Sequence, residues 1–189
     1  MESHLLHAAP AMGTIRQLRP SDFPRFRDHL LRLDARSRRD RFNGLAGDIF
    51  VSAYADGCFA DGTTVVGYVQ DGLVLGAAEL HERPEEDEPT AEIAFSVEPH
   101  LQNRGIGGRL FQRLIAQARG LGYTRLRVTT HPNNAAMKAL ARRYNAKLSF
   151  EDGETVGAID LDPEPEEGAP PFPFRAQIAP PAVISRCWP

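Results

Sequence analysis

Apolar and polar positions alternate with two different periods along residues 14–161. Alternation of period two predicts strands at 14–18, 63–69, 73–81, 91–97, 126–130, 147–151 and 155–161. Spacing near 3.6 predicts helices at about 22–34, 47–56, 105–121 and 134–144. The dipeptides Asp71-Gly72 and Asp152-Gly153 each separate two strands and predict tight hairpins. The order of these elements predicts an α/β domain.

The apolar residues of two predicted helices fall on single faces. They are Ile49, Phe50, Ala53 and Tyr54 in the helix at 47–56, and Leu110, Leu114, Ile115 and Ala118 in the helix at 105–121. Each stripe is typical of a helix that packs on a sheet.

Composition narrows the class of protein. The formal charge of −3 provides no general basic field, so we expect neither nucleic acid nor an anionic membrane as a partner. No apolar run approaches the roughly 20 residues that span a bilayer. The two cysteines, Cys58 and Cys187, are far apart, and no histidine spacing matches a metal site. We therefore predict a cytoplasmic protein without a metal ion.

Both ends of the chain differ from the centre. Residues 1–12 are predicted to be a leader, and residues 13–161 the folded domain. Residues 162–189 are rich in proline, which predicts an extended tail. Apolar residues in it, such as Phe172, Phe174 and Trp188, indicate packing on its own domain or on a second subunit, so a homodimer is one of two arrangements.

The segment from Val97 to Gly108 joins a predicted strand to a predicted helix. The first amides of a helix are unpaired and carry a partial positive charge, and glycine lets an anion approach them closely. A diphosphate fits such a turn. The alternatives are glycines that only ease the bend, or a dinucleotide-binding turn, although Leu110 stands where that fingerprint has its third glycine.

The same segment resembles a known family. Gln102, Arg104, Gly105 and Gly107 match the Q/R-x-x-G-x-G/A motif of the GCN5-related N-acetyltransferases (GNAT). Downstream, residues 134, 137 and 140 resemble the family's N-x-x-M-x-x-L helix. The resemblance covers residues 13–161. It implies the GNAT fold, a mixed and mostly antiparallel sheet flanked by helices, and transfer of acetyl from acetyl-CoA to a primary amine by direct attack in a ternary complex.

The resemblance also implies roles for particular residues. The strand Phe95-Ser96-Val97 would separate from its neighbour and hydrogen-bond the pantetheine arm, with an amide near Val97 polarising the thioester. Asn134 would contact the CoA arm. The pyrophosphate would be held by the amides of Asn103, Arg104, Gly105, Ile106, Gly107 and Gly108.

Glu92 is the predicted general base. An amine of lysine type is almost wholly protonated at pH 7, so it must lose a proton before it attacks. In many members of the family, a glutamate on this strand takes that proton. Alternation places Glu92, Ala94 and Ser96 on one strand face. The alternative is a glutamate of purely structural use.

One position departs from the family pattern. Many members carry a tyrosine on the last helix as general acid, and Ala141 occupies that place here. Tyr144 lies three residues later and faces elsewhere on the helix, so the acid role is not assigned to it. The departure leaves open a non-catalytic acyl-CoA-binding regulatory module.

A second resemblance concerns the segment from Leu33 to Phe42. It is similar to L-S-x-x-S-R-Y-x-R-F in the GNAT domains of bacterial protein lysine acetyltransferases. Under the alternative interpretation, Ser37, Arg38 and Arg41 cap and pin the first helix. The acidic run at 82–89 is either a solvated loop or a guide for a cationic acceptor, and the acceptor is a protein lysine or a small-molecule amine.

Overall fold

A computed structural model describes residues 13–161 as seven strands and five helices. The strands are β1 (Thr14–Gln17), β2 (Thr63–Gln70), β3 (Leu73–Glu82), β4 (Thr90–Val97), β5 (Arg125–Thr130), β6 (Lys147–Glu151) and β7 (Glu154–Asp160). The helices are α1 (Phe23–Arg32), α2 (Ala35–Phe42), α3 (Asp48–Gly57), α4 (Ile106–Gly120) and α5 (Ala135–Arg142). The predicted leader and tail lie outside the described residues.

The strands form one mixed sheet in the order β1-β2-β3-β4-β5-β7-β6. All neighbouring pairs are antiparallel except β4 and β5, which are parallel. Both predicted hairpin turns form: φ is +51° and +77° at Asp71 and Gly72, and +48° and +87° at Asp152 and Gly153. Asn and Asp tolerate this left-handed conformation and Gly adopts it freely, which explains the turn sequences. The mixed, mostly antiparallel sheet that the resemblance implies is confirmed.

A hydrophobic core covers each face of the sheet. On one face, α1 and α3 contribute Phe26, Leu30 and Val51, all completely buried. On the other face, α4 contributes Leu110 and Phe111, which pack against apolar residues of β3, β4 and β5. Each such side chain contributes about 1.5–3 kcal/mol by leaving water. The two cores fix the sheet between its helices and so fix the position of β4.

The parallel pair β4 and β5 separates part-way along its length. Their register ends at the pair Ile93 and Val128. Beyond it, β4 continues to Val97 on β3, while β5 continues to Thr130 on β7. A V-shaped opening results, with the turn before α4 at the end of one arm.

Two predictions about helices need correction. Helix α2 was not predicted, because its Arg-rich sequence has no apolar stripe; Asp34 caps it, and Oδ1 accepts from the Ser37 amide at 2.7 Å. Helix α3 exists, but its predicted apolar face is wrong. Ile49 is 90 % exposed, whereas Val51 and Ala55 are buried against α1.

The helices at 22–34 and 134–144 are shorter than predicted. Residues Pro20–Asp22 form a single 3₁₀ turn before α1. Helix α5 ends at Arg142, and Asn145 then adopts φ +60°, in keeping with its predicted place at a helix end. Within residues 13–161, none of the helices has the length and apolar character needed to cross a bilayer.

Candidate active site

A cleft of about 1880 Å³ occupies the opening between β4 and β5. It continues under α2 toward the acidic β3–β4 loop. The predicted site residues that line it are Glu92, Phe95, Ser96, Val97, Gln102, Asn103, Gly105, Ile106, Gly107, Gly108 and Asn134. Among the described residues, Arg104 does not line the cleft; its side chain is exposed at the turn between Asn103 and Gly105. One cavity thus brings the predicted cofactor residues and the predicted base together.

Gln102 joins the end of β4 to helix α2, which lines the cleft. Its Nε2 donates to the Val97 carbonyl at 3.0 Å and to Ser37 Oγ on α2 at 3.2 Å. These bonds fix the turn that follows β4 against α2. A contact from Gln102 to the cofactor stays a prediction.

The start of α4 forms the wall at one end of the cleft. Gly105 caps it with φ +77° and no side-chain bond, and the first helical bond runs from the Arg109 amide to the Gly105 carbonyl at 3.1 Å. The amides of Ile106, Gly107 and Gly108 precede that bond, so the helix itself does not pair them. A helix N-terminus of this kind attracts phosphate groups.

At Gly107 and Gly108, in the first turn of α4, packing within the protein does not require glycine. A Cβ on Gly108 would meet no other atom within 4 Å, and one on Gly107 would only reach Leu140 Cδ2 at 4.0 Å. Neither residue has positive φ. The absence of side chains therefore leaves the cleft side of α4 open for the close approach of a ligand.

Asn134 closes the other wall by capping α5. Its Oδ1 accepts from the Met137 amide at 2.9 Å. Its Nδ2 donates to Thr130 Oγ1 at 2.9 Å and to the Asp40 carbonyl on α2 at 3.2 Å. Helix α2 is thus tied to both sides of the opening, through Asn134 here and through Gln102 on β4. A contact from Asn134 to the CoA arm stays a prediction.

Comparison with known proteins identifies the family. A profile of the acetyltransferase (GNAT) family matches residues 15–146, which include the whole cleft up to the end of α5. The chain belongs to the GNAT family.

Individual GNAT relatives agree with this assignment. The chain is 34 % identical over 123 residues to the L-2,4-diaminobutyric acid acetyltransferase of Nocardia farcinica, a match that covers 63 % of this chain. The chain spans about 60 % of that relative's length. The GNAT domain of PAT from S. lividans superposes with a TM-score of 0.69 at 19 % identity, covering 85 % of this chain and all of that domain.

A further similar solved structure is that of YncA from Salmonella typhimurium with its cofactor acetyl-CoA. It superposes with a TM-score of 0.59 at 22 % identity and covers 85 % of this chain and 99 % of YncA. At these identities, the two structural likenesses establish the fold.

Glu92 lines the cleft together with Ala94 and Ser96, with which alternation groups it on one strand face. Its carboxylate is largely buried, and Oε2 accepts from Arg83 Nη1 at 2.7 Å. Arg83 comes from the β3–β4 loop and also pairs with Glu85 at 2.5 Å. Glu92 lines the cleft beside His81, its cross-strand partner on β3. The ion pair holds the carboxylate in one position, as either a base or a structural glutamate requires.

Sequence reasoning missed a buried cluster next to Glu92. Glu79 on β3 is completely buried, and its Oε2 accepts from Arg41 Nη2 at 2.6 Å and from the Tyr54 hydroxyl at 2.5 Å. The ring nitrogen Nε2 of His81 lies 3.1 Å from the same oxygen. Arg41, Tyr54 and His81 line the cleft. A signal was present: Glu79 follows six residues of β3 without a polar side chain, and a carboxylate buried in such a strand needs a cation as partner.

Electrostatics keep this cluster charged. Burial alone would raise the pKa of Glu79, but Arg41 and His81 outweigh it and hold that pKa far below its usual range. Burial raises the pKa of the Tyr54 hydroxyl, so it stays a proton donor. The cluster therefore contains a stable ion pair at the floor of the cleft.

The cluster also contains three ligand types that metals use. Ligand atoms of Cys58, Glu79 and His81 lie within 4.8 Å of one another. A metal ion fits them poorly, because the Arg41 guanidinium already binds the Glu79 carboxylate. Burial also raises the pKa of the Cys58 thiol, which opposes the thiolate form that a metal binds.

The last helix presents no tyrosine to the cleft at the usual GNAT position. Ala141 is completely buried in the core. The Tyr144 ring packs against Phe111, with ring centroids 4.2 Å apart. Among the described residues that line the cleft, Tyr144 is absent. This packing agrees with leaving the acid role unassigned.

Arg38 and Arg41, from the α2 motif, hold neighbouring elements of this domain together. Arg38 donates to the Leu31 carbonyl and pairs with Asp48 at 2.6 Å, so it joins α1 to α3. Arg41 neutralises Glu79 from the same helix. Of the interpretation that Ser37, Arg38 and Arg41 cap and pin the first helix, the contacts support only pinning by Arg38. Arg41 binds Glu79 and Tyr54 instead, and Ser37 accepts from Gln102.

Proposed function

We propose that this protein transfers acetyl from acetyl-CoA to a primary amine, by direct attack within a ternary complex. The observation that carries the proposal is the opening of β4 from β5 beside the unpaired amides that begin α4. The two features lie in one cleft, which has room for a long cofactor and an acceptor.

The proposed cofactor path follows the cleft. The pantetheine arm lies along the free edge of β4 at Phe95 to Val97, and the pyrophosphate lies at the amides from Asn103 to Gly108. Each contact between a phosphate charge and a helix N-terminus contributes about 0.3–1 kcal/mol at the surface. Hydrogen bonds to charged groups contribute about 1.5–3 kcal/mol each. A few such bonds suffice for firm binding.

In the proposed reaction, Glu92 takes the proton of the ammonium, directly or through a water molecule. The neutral amine then attacks the thioester carbonyl, and the C–S bond breaks. The proton that the attacking nitrogen loses passes through water to the CoA thiolate, which leaves as the thiol. An amide near Val97 stabilises the oxyanion that forms. General base action of this kind typically contributes about 10²–10⁴-fold to the rate.

The acceptor end of the cleft favours a cationic amine. Glu82, Glu85 and Glu92 line it, and the single charge of Arg83, which pairs with two of them, leaves an excess of carboxylates. The Nocardia relative is named for an amino acid that carries a second amine, and the S. lividans domain belongs to PAT. We therefore propose a primary amine, of a protein lysine or of a small molecule, as the acceptor. The cytoplasmic location and the homodimer stay predictions.

Thiol release from acetyl-CoA with a panel of amines tests this proposal. Wild-type protein is expected to release CoA only when an amine is present. Glu92→Gln is expected to lower kcat by about 10²-fold or more with unchanged affinity for CoA. Glu151→Gln, on exposed β6, is the matched control and should retain full activity.

A non-catalytic acyl-CoA-binding module is the second candidate. The observation in its favour is the position of Tyr144, whose ring packs against Phe111 of the core and does not line the cleft. Tight binding of acetyl-CoA without thiol release for any amine would establish this candidate and refute the first. A Glu92→Gln variant as fast as wild type would remove only the assignment of the base.

A further inference from the structure

Three polar side chains connect α1 to the end of β4 below the cleft. His29 is completely buried, and its Nε2 lies 2.9 Å from Ser96 Oγ. Its Nδ1 lies 3.4 Å from Glu98 Oε1. The proposed reaction uses none of these side chains, although Ser96 lines the cleft. Their arrangement fixes where the protons between them lie.

The Glu98 carboxylate is ionised. Burial would raise its pKa, but His29 and Arg32 outweigh burial and lower it. Arg32 Nε donates to Oε1 at 2.8 Å, and His100 lies 3.7 Å from Oε2. An ionised carboxylate has no proton, so it can only accept hydrogen bonds.

The His29 imidazole is neutral. Burial lowers its pKa, Arg32 lowers it further, and the acidic groups Glu98 and Glu79 only partly offset this. A neutral imidazole carries one N–H, and Glu98 requires that it point from Nδ1. The lone pair is then on Nε2, which faces Ser96.

Ser96 must consequently donate its proton to His29. A hydroxyl has one proton and two lone pairs, so the Ser96 oxygen can offer the cleft only an acceptor. A serine without such a partner would rotate to donate or to accept. Ser96 lies between Phe95 and Val97, on the part of β4 that has left β5.

We propose that His29 makes Ser96 a fixed hydrogen-bond acceptor for an N–H group of the molecule bound in the cleft. The inference rests on the proposed function, which places two sources of N–H there: the amides of the pantetheine arm and the attacking amine. His29 and Glu98 are positioning residues, and Ser96 is the residue that touches the ligand.

Ser96→Ala tests the contact with two separate measurements. Calorimetry with CoA alone reports the pantetheine arm, and KM for the amine reports the acceptor. We expect either the affinity for CoA or the apparent affinity for the amine to weaken by about 2- to 12-fold, which corresponds to the loss of one hydrogen bond. Ser52→Ala on α3, away from the cleft, is the matched control. Unchanged values in both measurements would overturn the inference.

His29→Gln tests the positioning role, because its amide would donate to Ser96 and turn the serine proton toward the cleft. Introduced into the wild type, His29→Gln should weaken the same affinity, for CoA or for the amine, by a similar factor. Added to Ser96→Ala, His29→Gln should change that affinity little further, because the two residues act through one contact. An equal loss in both backgrounds would show a merely structural role. If His29→Gln does not fold, the two Ser96→Ala measurements decide alone.

A final measurement separates this role from nucleophilic catalysis. Mixing the protein with acetyl-CoA without amine should leave Ser96 unmodified in peptide mass spectra. An acetyl ester on Ser96 would overturn its role as acceptor. Failure of the proposed function would appear differently, as wild-type protein that neither binds CoA nor turns over.

Discussion

Gly108→Ala separates folding from binding at the start of α4. Gly108 is the third residue of the helix, its φ is not positive, and an added Cβ would meet no protein atom within 4 Å. Alanine is favoured over glycine within a helix by about 0.8–1.0 kcal/mol. The variant should therefore be more stable than wild type, by about 2–4 °C in Tm for a chain of this size.

Binding of acetyl-CoA should change in the opposite direction. The new methyl group would occupy the space through which a pyrophosphate reaches the amides of residues 106–108. Loss of one hydrogen bond to a charged group, about 1.5–3 kcal/mol, corresponds to about 10- to 150-fold weaker binding. Isothermal titration calorimetry gives the Kd, and thermal unfolding of the unliganded protein gives the stability.

Gly120→Ala is the matched control for this experiment. Gly120 is the last residue of α4, and a Cβ there also meets nothing within 4 Å. It should raise the Tm without changing the Kd for acetyl-CoA. If Gly108→Ala bound acetyl-CoA as tightly as wild type, the assignment of the pyrophosphate to this turn would be refuted.

Three further predictions concern stability. Glu79→Gln should lower the free energy of unfolding by about 3–5 kcal/mol, because Arg41 would keep its buried charge without a partner. Urea unfolding measures this free energy. As the control, Glu86→Gln, in the partly exposed pair with Arg127, should change it little. The folded-state pKa of Glu79 is lowered, so its stabilisation is present above the ordinary carboxyl pKa of about 4.3 and is lost as pH falls below it. The stability of Glu79→Gln should therefore fall less steeply than that of wild type between about pH 5 and pH 3, and equal slopes would contradict the ion pair. Asn134→Ala should cost about 1 kcal/mol through loss of the α5 cap, and an unchanged Tm would show that the cap is dispensable.

The elements that the sequence predicts well depend on neighbouring residues. The hairpins at Asp71-Gly72 and Asp152-Gly153 need only left-handed turn residues. The turn at Gly105 is recognisable for the same reason, because glycine, strand and helix follow one another within a few residues. Local chemistry of this kind is visible in a single sequence.

The features that the sequence does not predict depend on distant partners. Arg41 and Glu79 are 38 positions apart, and His29 and Ser96 are 67 apart. Nothing in either segment reveals its partner before the sheet brings them together. Helix α2 has no buried residue, so its place over the cleft depends on polar bonds. They run from Arg41 to Glu79, from Arg38 to α1 and α3, and from Gln102 and Asn134 to α2. Its polar sequence gives no periodic signal.

Formation of the acetylated amine tests the central claim most directly. Purified protein is incubated with acetyl-CoA and either L-2,4-diaminobutyric acid or a lysine peptide, and product and CoA are quantified together by mass spectrometry. The account predicts an acetylated primary amine in equal amount to CoA released, and about 10²-fold less of both with Glu92→Gln. Saturation of the cleft by acetyl-CoA without any acetylated amine would contradict it.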